Sequence, residues 1–172
     1  MKTIFILLIA AISLVSCSSD DTTIEEEIIE GAVEGGTVEM NIYGNSKIVV
    51  PVNSEFFVTT IASGDNLVFE YTLSIAPDPE LQDSGFYETV VFEIAPGARE
   101  FSVSDDDLQF IKSYYRHVCF CEITESIEID SGVISGIKID ATSWEINIDV
   151  NVRIYEEGPL VNKKVSGNFV LD

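Results

Sequence analysis

From Trp144 to Tyr155 the chain alternates without a fault. Trp144, Ile146, Ile148, Val150, Val152 and Ile154 fall on one side, and Glu145, Asn147, Asp149, Asn151, Arg153 and Tyr155 on the other. A period of two belongs to a β-strand with one dry and one wet face, and a one-residue slip would bury a whole row of polar groups. Trp144 therefore reads as core. The segments on either side, Gly132–Asp140 and Lys163–Leu171, are joined to this strand by the short connections 140–143 and 156–162. The last third of the chain is thus expected to be a three-stranded meander.

The same period recurs upstream. Val38, Met40 and Ile42 alternate with Glu39 and Asn41, and Gly44-Asn45-Ser46 supplies turn residues before Lys47–Val52, so a hairpin is expected there. Pro51 suits an edge or a strand end. Glu55–Ile61 is β-branched and aromatic and is broken by residues 63–66. Leu67–Ile75 alternates again, Pro77, Pro79 and Gly85 punctuate a loop, Phe86–Ile94 is a strand, and Pro96-Gly97 turns into a short strand over Arg99–Val103. Ser104 with Asp107 three residues on, and Leu108, Ile111 and Tyr115 on one stripe, suggest a short capped helix within 105–115. A strand over Leu108–Ser113 is the alternative, and a strand over Arg116–Ile123 follows in either case. The fold class is all-β: an antiparallel β-sandwich of eight to ten strands, with a calycin-like closed β-barrel as the alternative.

The first sixteen residues have the layout of a secretory signal: Lys2, an apolar run from Ile4 to Ile12, and a weakly polar end. Ser13, Ser16, Ser18, Ser19, Asp20 and Asp21 cut the run below the roughly 20 apolar residues that a membrane span needs. Leu14-Val15-Ser16-Cys17 resembles the lipobox of bacterial lipoproteins. The resemblance implies that Cys17 is acylated and begins the mature chain, and that the partner of this end is a membrane. Ser18-Ser19-Asp20-Asp21 resembles the export tag of surface lipoproteins in the Bacteroidota, which implies display on the outer face of the outer membrane, with a periplasm-facing position as the alternative. The expected organisation is a leader over 1–16, an acidic tether over 17–35 and one β domain over 36–172.

Charge narrows the partners. Thirty acidic residues against nine basic ones give a formal charge of −21, which opposes any long-range attraction to nucleic acid. A hydrophobic fraction of 46% is too high for a disordered acidic chain. Eight of the acids (Asp20, Asp21, Glu25, Glu26, Glu27, Glu30, Glu34, Glu39) fall within residues 20–39, where no Lys or Arg occurs, so self-repulsion extends the tether.

Residues that could carry chemistry are sparse. His117, Cys119 and Cys121 share a strand face, but the mature chain offers no other His or Cys to complete a tetrahedral metal site, so no metal and no cofactor is expected. Positions i and i+2 of a strand lie roughly 6.5 to 7 Å apart, at the upper edge of disulfide geometry, so buried, reduced thiols are expected at Cys119 and Cys121 unless a bulge intervenes. With one His and no Gly-x-Ser-x-Gly elbow, nucleophilic catalysis has little to build on. Asp105-Asp106-Asp107 and Asp130-Ser131-Gly132 place oxygens in loops, where turn and capping roles explain them as well as calcium would. For a ligand platform the better exposed aromatics are Tyr155 with Arg153, and the Tyr114-Tyr115 pair.

The expected function is that of a non-enzymatic, envelope-anchored binding or structural-interaction module with a glycan or protein partner. The alternative is a barrel carrying an apolar small molecule or lipid, and the third is a glycan hydrolase using paired carboxylates. An open interior along the Trp144–Ile154 face would favour the carrier, and a filled one the module.

Overall fold

The computed structural model describes residues 36–51, 57–78, 80, 84–119, 122, 123, 125–155 and 158–172. The leader, Cys17, the tether and Cys121 lie outside the described residues. Among the described residues eleven strands form in chain order: β1 (Gly36–Val49), β2 (Thr60–Ser63), β3 (Asn66–Ile75), β4 (Phe86–Ile94), β5 (Glu100–Ser104), β6 (Tyr114–Cys119), β7 (Glu122–Ile123), β8 (Ile127–Glu128), β9 (Ser131–Lys138), β10 (Ser143–Val152) and β11 (Val161–Leu171). One 3-10 helix, Asp105–Ile111, follows β5. The class is all-β with one short helix, as the alternation and the capping pattern predict.

The strands make one continuous sheet in the order β5-β9-β10-β11-β1-β3-β4-β6-β7, with β2 beside the second half of β1 and β8 beside β6. The expected meander forms as β9-β10-β11, with Ile148 opposite both Ile134 and Val165. It joins the rest through β11 and β1, which pair in parallel at Asn41↔Val170 and Ile42↔Leu171. The sheet curls into an open half-barrel. Strands far apart in the order thereby face each other across one core, as the layers of a sandwich do, while the pairing runs on unbroken, as in a barrel. Phe92 on β4 and Phe101 on β5 lie 5.9 Å apart, and Phe69 on β3 packs edge-on against Trp144 on β10 at 5.5 Å. The 3-10 helix sits against β4, β5 and β9, filling the gap at which a barrel would close, with Leu108 and Ile111 buried.

Two local expectations are corrected. Gly44-Asn45-Ser46 is not a hairpin turn: β1 runs straight through it with a register shift between Tyr43 and Ser46, and Asn45 takes a left-handed φ of 50°. This is a β-bulge, for which turn-like residues are equally suited. It reverses the facing of the strand, so Ile42 enters the inner core whereas Ile48 is buried in a separate cluster on the outer face. The short helix forms as a 3-10 helix, but Ser104 makes no side-chain cap. Its stripe also ends before Tyr115, which belongs to β6.

Candidate binding site on the outer face

β4 has no wet face: every residue from Glu88 to Ile94 is buried. Its inward side chains Val90, Phe92 and Ile94 join the inner core, and Val91 joins the outer cluster with Ile48, Val68 and Tyr114. That outer cluster is roofed by a strap of two loops. Ser126 N–H donates to the Phe57 carbonyl at 2.6 Å, Thr59 N–H donates to Ser126 Oγ at 3.0 Å, and the Phe57 ring lies 5.8 Å from that of Tyr114. Glu93, also buried, holds the cluster's margin by accepting from Ile48 N–H at 2.8 Å and pairing with Lys112 Nζ at 2.7 Å.

The register lays out this face in rows. Asn41, Glu70, Val91 and Tyr114 stand side by side across β1, β3, β4 and β6; the next row is Glu39, Thr72, Thr89 and Arg116; the one beyond is Thr37, Ser74, Tyr87 and Val118. A cavity of about 450 Å³ opens over the first two of these rows and under the strap, with Ile48, Ile61 and Val91 as apolar lining. Tyr43 O–H donates to Glu70 Oε2 at 2.9 Å. Burial, reinforced by that bond to a carboxylate, pushes the Tyr43 hydroxyl up to about 12. Thr89 is 6% exposed, and neither its hydroxyl nor Arg116 Nε has a hydrogen-bond partner among the described residues. The Arg116 guanidinium lies over the Tyr87 ring, 5.8 Å from its centroid. Tyr87 also borders a second depression of about 610 Å³, lined by Ile75, Pro77, Phe86 and Val118.

The inner face carries a polar cluster of a different kind. Glu88 Oε2 accepts from Lys163 Nζ and from Tyr115 O–H, each at 2.9 Å, and all three residues are buried. His117 stands opposite Glu88 across β4 and β6 and stacks on Phe86 at 5.6 Å. Burial pushes the His117 pKa below its ordinary value, against the pull of Glu88. Burial likewise raises that of Tyr71, with the Glu88 charge adding to it. Closed in by core side chains, this cluster ties β4 to β11 across the inner face.

The residues singled out in the sequence are dispersed. Tyr114 is 8% and Tyr115 1% exposed, which corrects their reading as an exposed pair. The strand begins at Tyr114, so alternation sends one ring into the strap-covered cluster and the other into the inner core. Tyr114 still lines the outer cavity. Tyr155 is exposed as expected, but Arg153 Nη1 donates to the Gly158 carbonyl at 2.6 Å and closes the β10–β11 loop, so the two do not join the cavity. Trp144 is core, at 2% exposure. Asp105 Oδ1 accepts from Gly132 N–H at 3.0 Å, linking the two acidic loops, and no group of three or more His, Cys, Asp or Glu placed to hold a metal occurs among the described residues. Cys119 is disulfide-bonded, which corrects the expectation of a reduced thiol; its partner lies outside the described residues.

Tyr43, Glu70, Tyr87, Thr89 and Arg116, which build the cavity, are not among the residues that the sequence pattern singles out. The signal was there in Phe86–Ile94, where Glu88, Thr89 and Glu93 interrupt an otherwise apolar run. Polar residues in a strand buried on both faces need partners, and here they anchor two separate polar sites. Compared with protein-family models, with curated proteins and with solved structures, the chain matches none.

Proposed function

We propose that the protein is an envelope-anchored lipoprotein, held to the outer membrane through Cys17 and displayed at the cell surface, whose β domain is a non-enzymatic binding module. Its ligand site is the strap-covered cavity on the outer face. The observation that carries this reading is the contrast between the two faces. Inside, Trp144, Ile146, Ile148, Val150 and Val152 are each at most 2% exposed and belong to one core cluster with the Phe69, Phe92 and Phe169 rings, with Phe101 packed against it. Outside, a cavity of drug-like size combines apolar walls with a few converging polar groups, the usual make-up of a small-molecule site.

The neighbouring apolar depression favours a second reading, carriage of an apolar small molecule on the outer surface rather than in a barrel interior. Paired-carboxylate hydrolysis has less support, since Glu70 is the one carboxylate among the described residues lining the cavity and is engaged by Tyr43.

The test is a glycan-array and lipid co-purification screen on the full chain, with hits mapped by methyl NMR. Hits that shift Ile48, Ile61 and Val91 support the module; hits that shift only surfaces elsewhere overturn the site assignment. For the anchor, globomycin or Cys17→Ala should abolish acylation and membrane retention, and unchanged retention would refute it. Protease shaving of intact cells should remove the domain, whereas full protection would place it on the periplasmic side.

A further inference from the structure

Building on the binding-module reading, we infer that the outer site recognises a small amphipathic carboxylate, with its acid group on Arg116 and Thr89 and its apolar body against the adjoining hydrophobic walls. Thr89 and Arg116 are direct neighbours across β4 and β6, and their row lies between the two depressions, about 7 Å from the row on either side. Two donors therefore meet at the seam of the site. The Thr89 hydroxyl and Arg116 Nε are both shielded from solvent without a partner among the described residues, a state that carries a desolvation cost which an incoming acceptor removes.

The chemistry of the donors selects the acceptor. Arginine has no acceptor capacity and presents its N–H groups as a planar fork that fits a carboxylate in bidentate fashion. Its contact here is the Tyr87 ring face, which leaves the in-plane N–H groups to a ligand. Charge limits the anion to one small group. Glu70 lies in the same lining and the chain as a whole is at −21, so a phosphate or polyanion meets repulsion that a single carboxylate does not. The body of the ligand is set by what flanks the row: Ile48, Ile61 and Val91 on one side, Ile75, Pro77 and Val118 on the other.

The experiment is isothermal titration of the full chain in detergent with 4-phenylbutyrate and with hexanoate, each beside its amide, and with glucuronate as a carboxylate that has no apolar body. At least one of the two acids should bind saturably, about tenfold or more tighter than its amide and than glucuronate, because a charge-assisted pair is lost in the first comparison and apolar burial in the second. Preference for phenylbutyrate over hexanoate, or the reverse, distinguishes a ring from a chain as the body. Arg116→Gln should erase the gap between acid and amide while Trp144 emission stays native, and Arg116→Lys should restore part of it. An equal affinity for acid and amide, an equal affinity for glucuronate, a gap that survives Arg116→Gln, or no acid binding at about 10 mM each overturns the inference. If screened glycans or lipids still shift the Ile48, Ile61 and Val91 methyls when the acids do not, the module reading stands and the carboxylate falls. If neither does, both fall.

Discussion

Lys163→Met should be among the most damaging single changes in this protein. The side chain reaches from β11 across the inner face to Glu88 on β4, with the ammonium 2.9 Å from Oε2 and the two residues 7% and 2% exposed. Methionine fills nearly the same volume but leaves the Glu88 carboxylate in an apolar core with Tyr115 O–H as its remaining bond. Removing one partner of a buried ion pair costs about 3–5 kcal/mol, a large share of the roughly 5–15 kcal/mol by which a domain is stable. The double change Glu88→Leu with Lys163→Met removes both charges and should recover most of that loss, up to the cost of about 1–3 kcal/mol for the orphaned Tyr115 hydroxyl. The double-mutant cycle should therefore show coupling of about 2 kcal/mol or more. Urea unfolding reads it directly, with emission from Trp144, the single tryptophan, as the probe. A loss below about 1 kcal/mol for Lys163→Met, or changes that add to within about 0.5 kcal/mol, would refute the idea that this pair ties the two halves of the curled sheet together.

Other outcomes follow from the same geometry. His117 has a depressed pKa in the fold, so the unfolded chain binds more protons there; stability is full above the unfolded value near 6.5 and should decline as pH falls through the folded one, and His117→Phe, which keeps the stack on Phe86, should flatten that decline in urea titrations between pH 7 and 5. Gly132 has φ of 114° and its missing Cβ would strike the Asp149 carbonyl, so Gly132→Ala should lower the urea midpoint by the equivalent of about 2 kcal/mol or more, and an unchanged midpoint would show that β9 does not approach β10 so closely. Phe69→Ala removes the ring that contacts Phe92, Phe101, Trp144 and Phe169, and should cost about 3–5 kcal/mol in the same assay, with a smaller loss arguing for a loosely filled interior. Thiol labelling of the unfolded, unreduced chain should leave Cys119 unmodified until a reductant is added, whereas labelling before reduction would contradict the disulfide.

What the sequence made legible depended on solvent. β3 and β10 each alternate apolar with polar residues, so the strands themselves are legible, with β3 starting one residue before Leu67 and β10 ending at Val152, three residues before Tyr155. β4 is buried on both faces, and with no alternation to follow, the separate duties of Glu88 inside and Thr89 and Glu93 outside stayed hidden. Gly44-Asn45-Ser46 suits a turn as well as a bulge, and the choice is made by β2 and β3, which line up along the same edge of β1. The parallel pairing of β11 with β1 joins residues more than a hundred positions apart and leaves no local mark. The candidate site shares that difficulty. It is assembled from β1, β2, β3, β4, β6 and two loops, each contributing one to three residues of unremarkable type, and only the register brings Thr89 and Arg116 together.

Where the protein holds free apolar volume can be measured without knowledge of the ligand. Xenon enters apolar room wherever a protein offers it, and methyl NMR under xenon pressure reports its location side chain by side chain. If the interior is filled and the usable space lies on the outer face, the methyls of Ile48, Ile61, Val91 and Val118 should shift while those of Ile146, Ile148 and Val150 stay fixed. Shifts at Ile146, Ile148 and Val150 with none on the outer face would place the cavity inside the curled sheet and contradict the account.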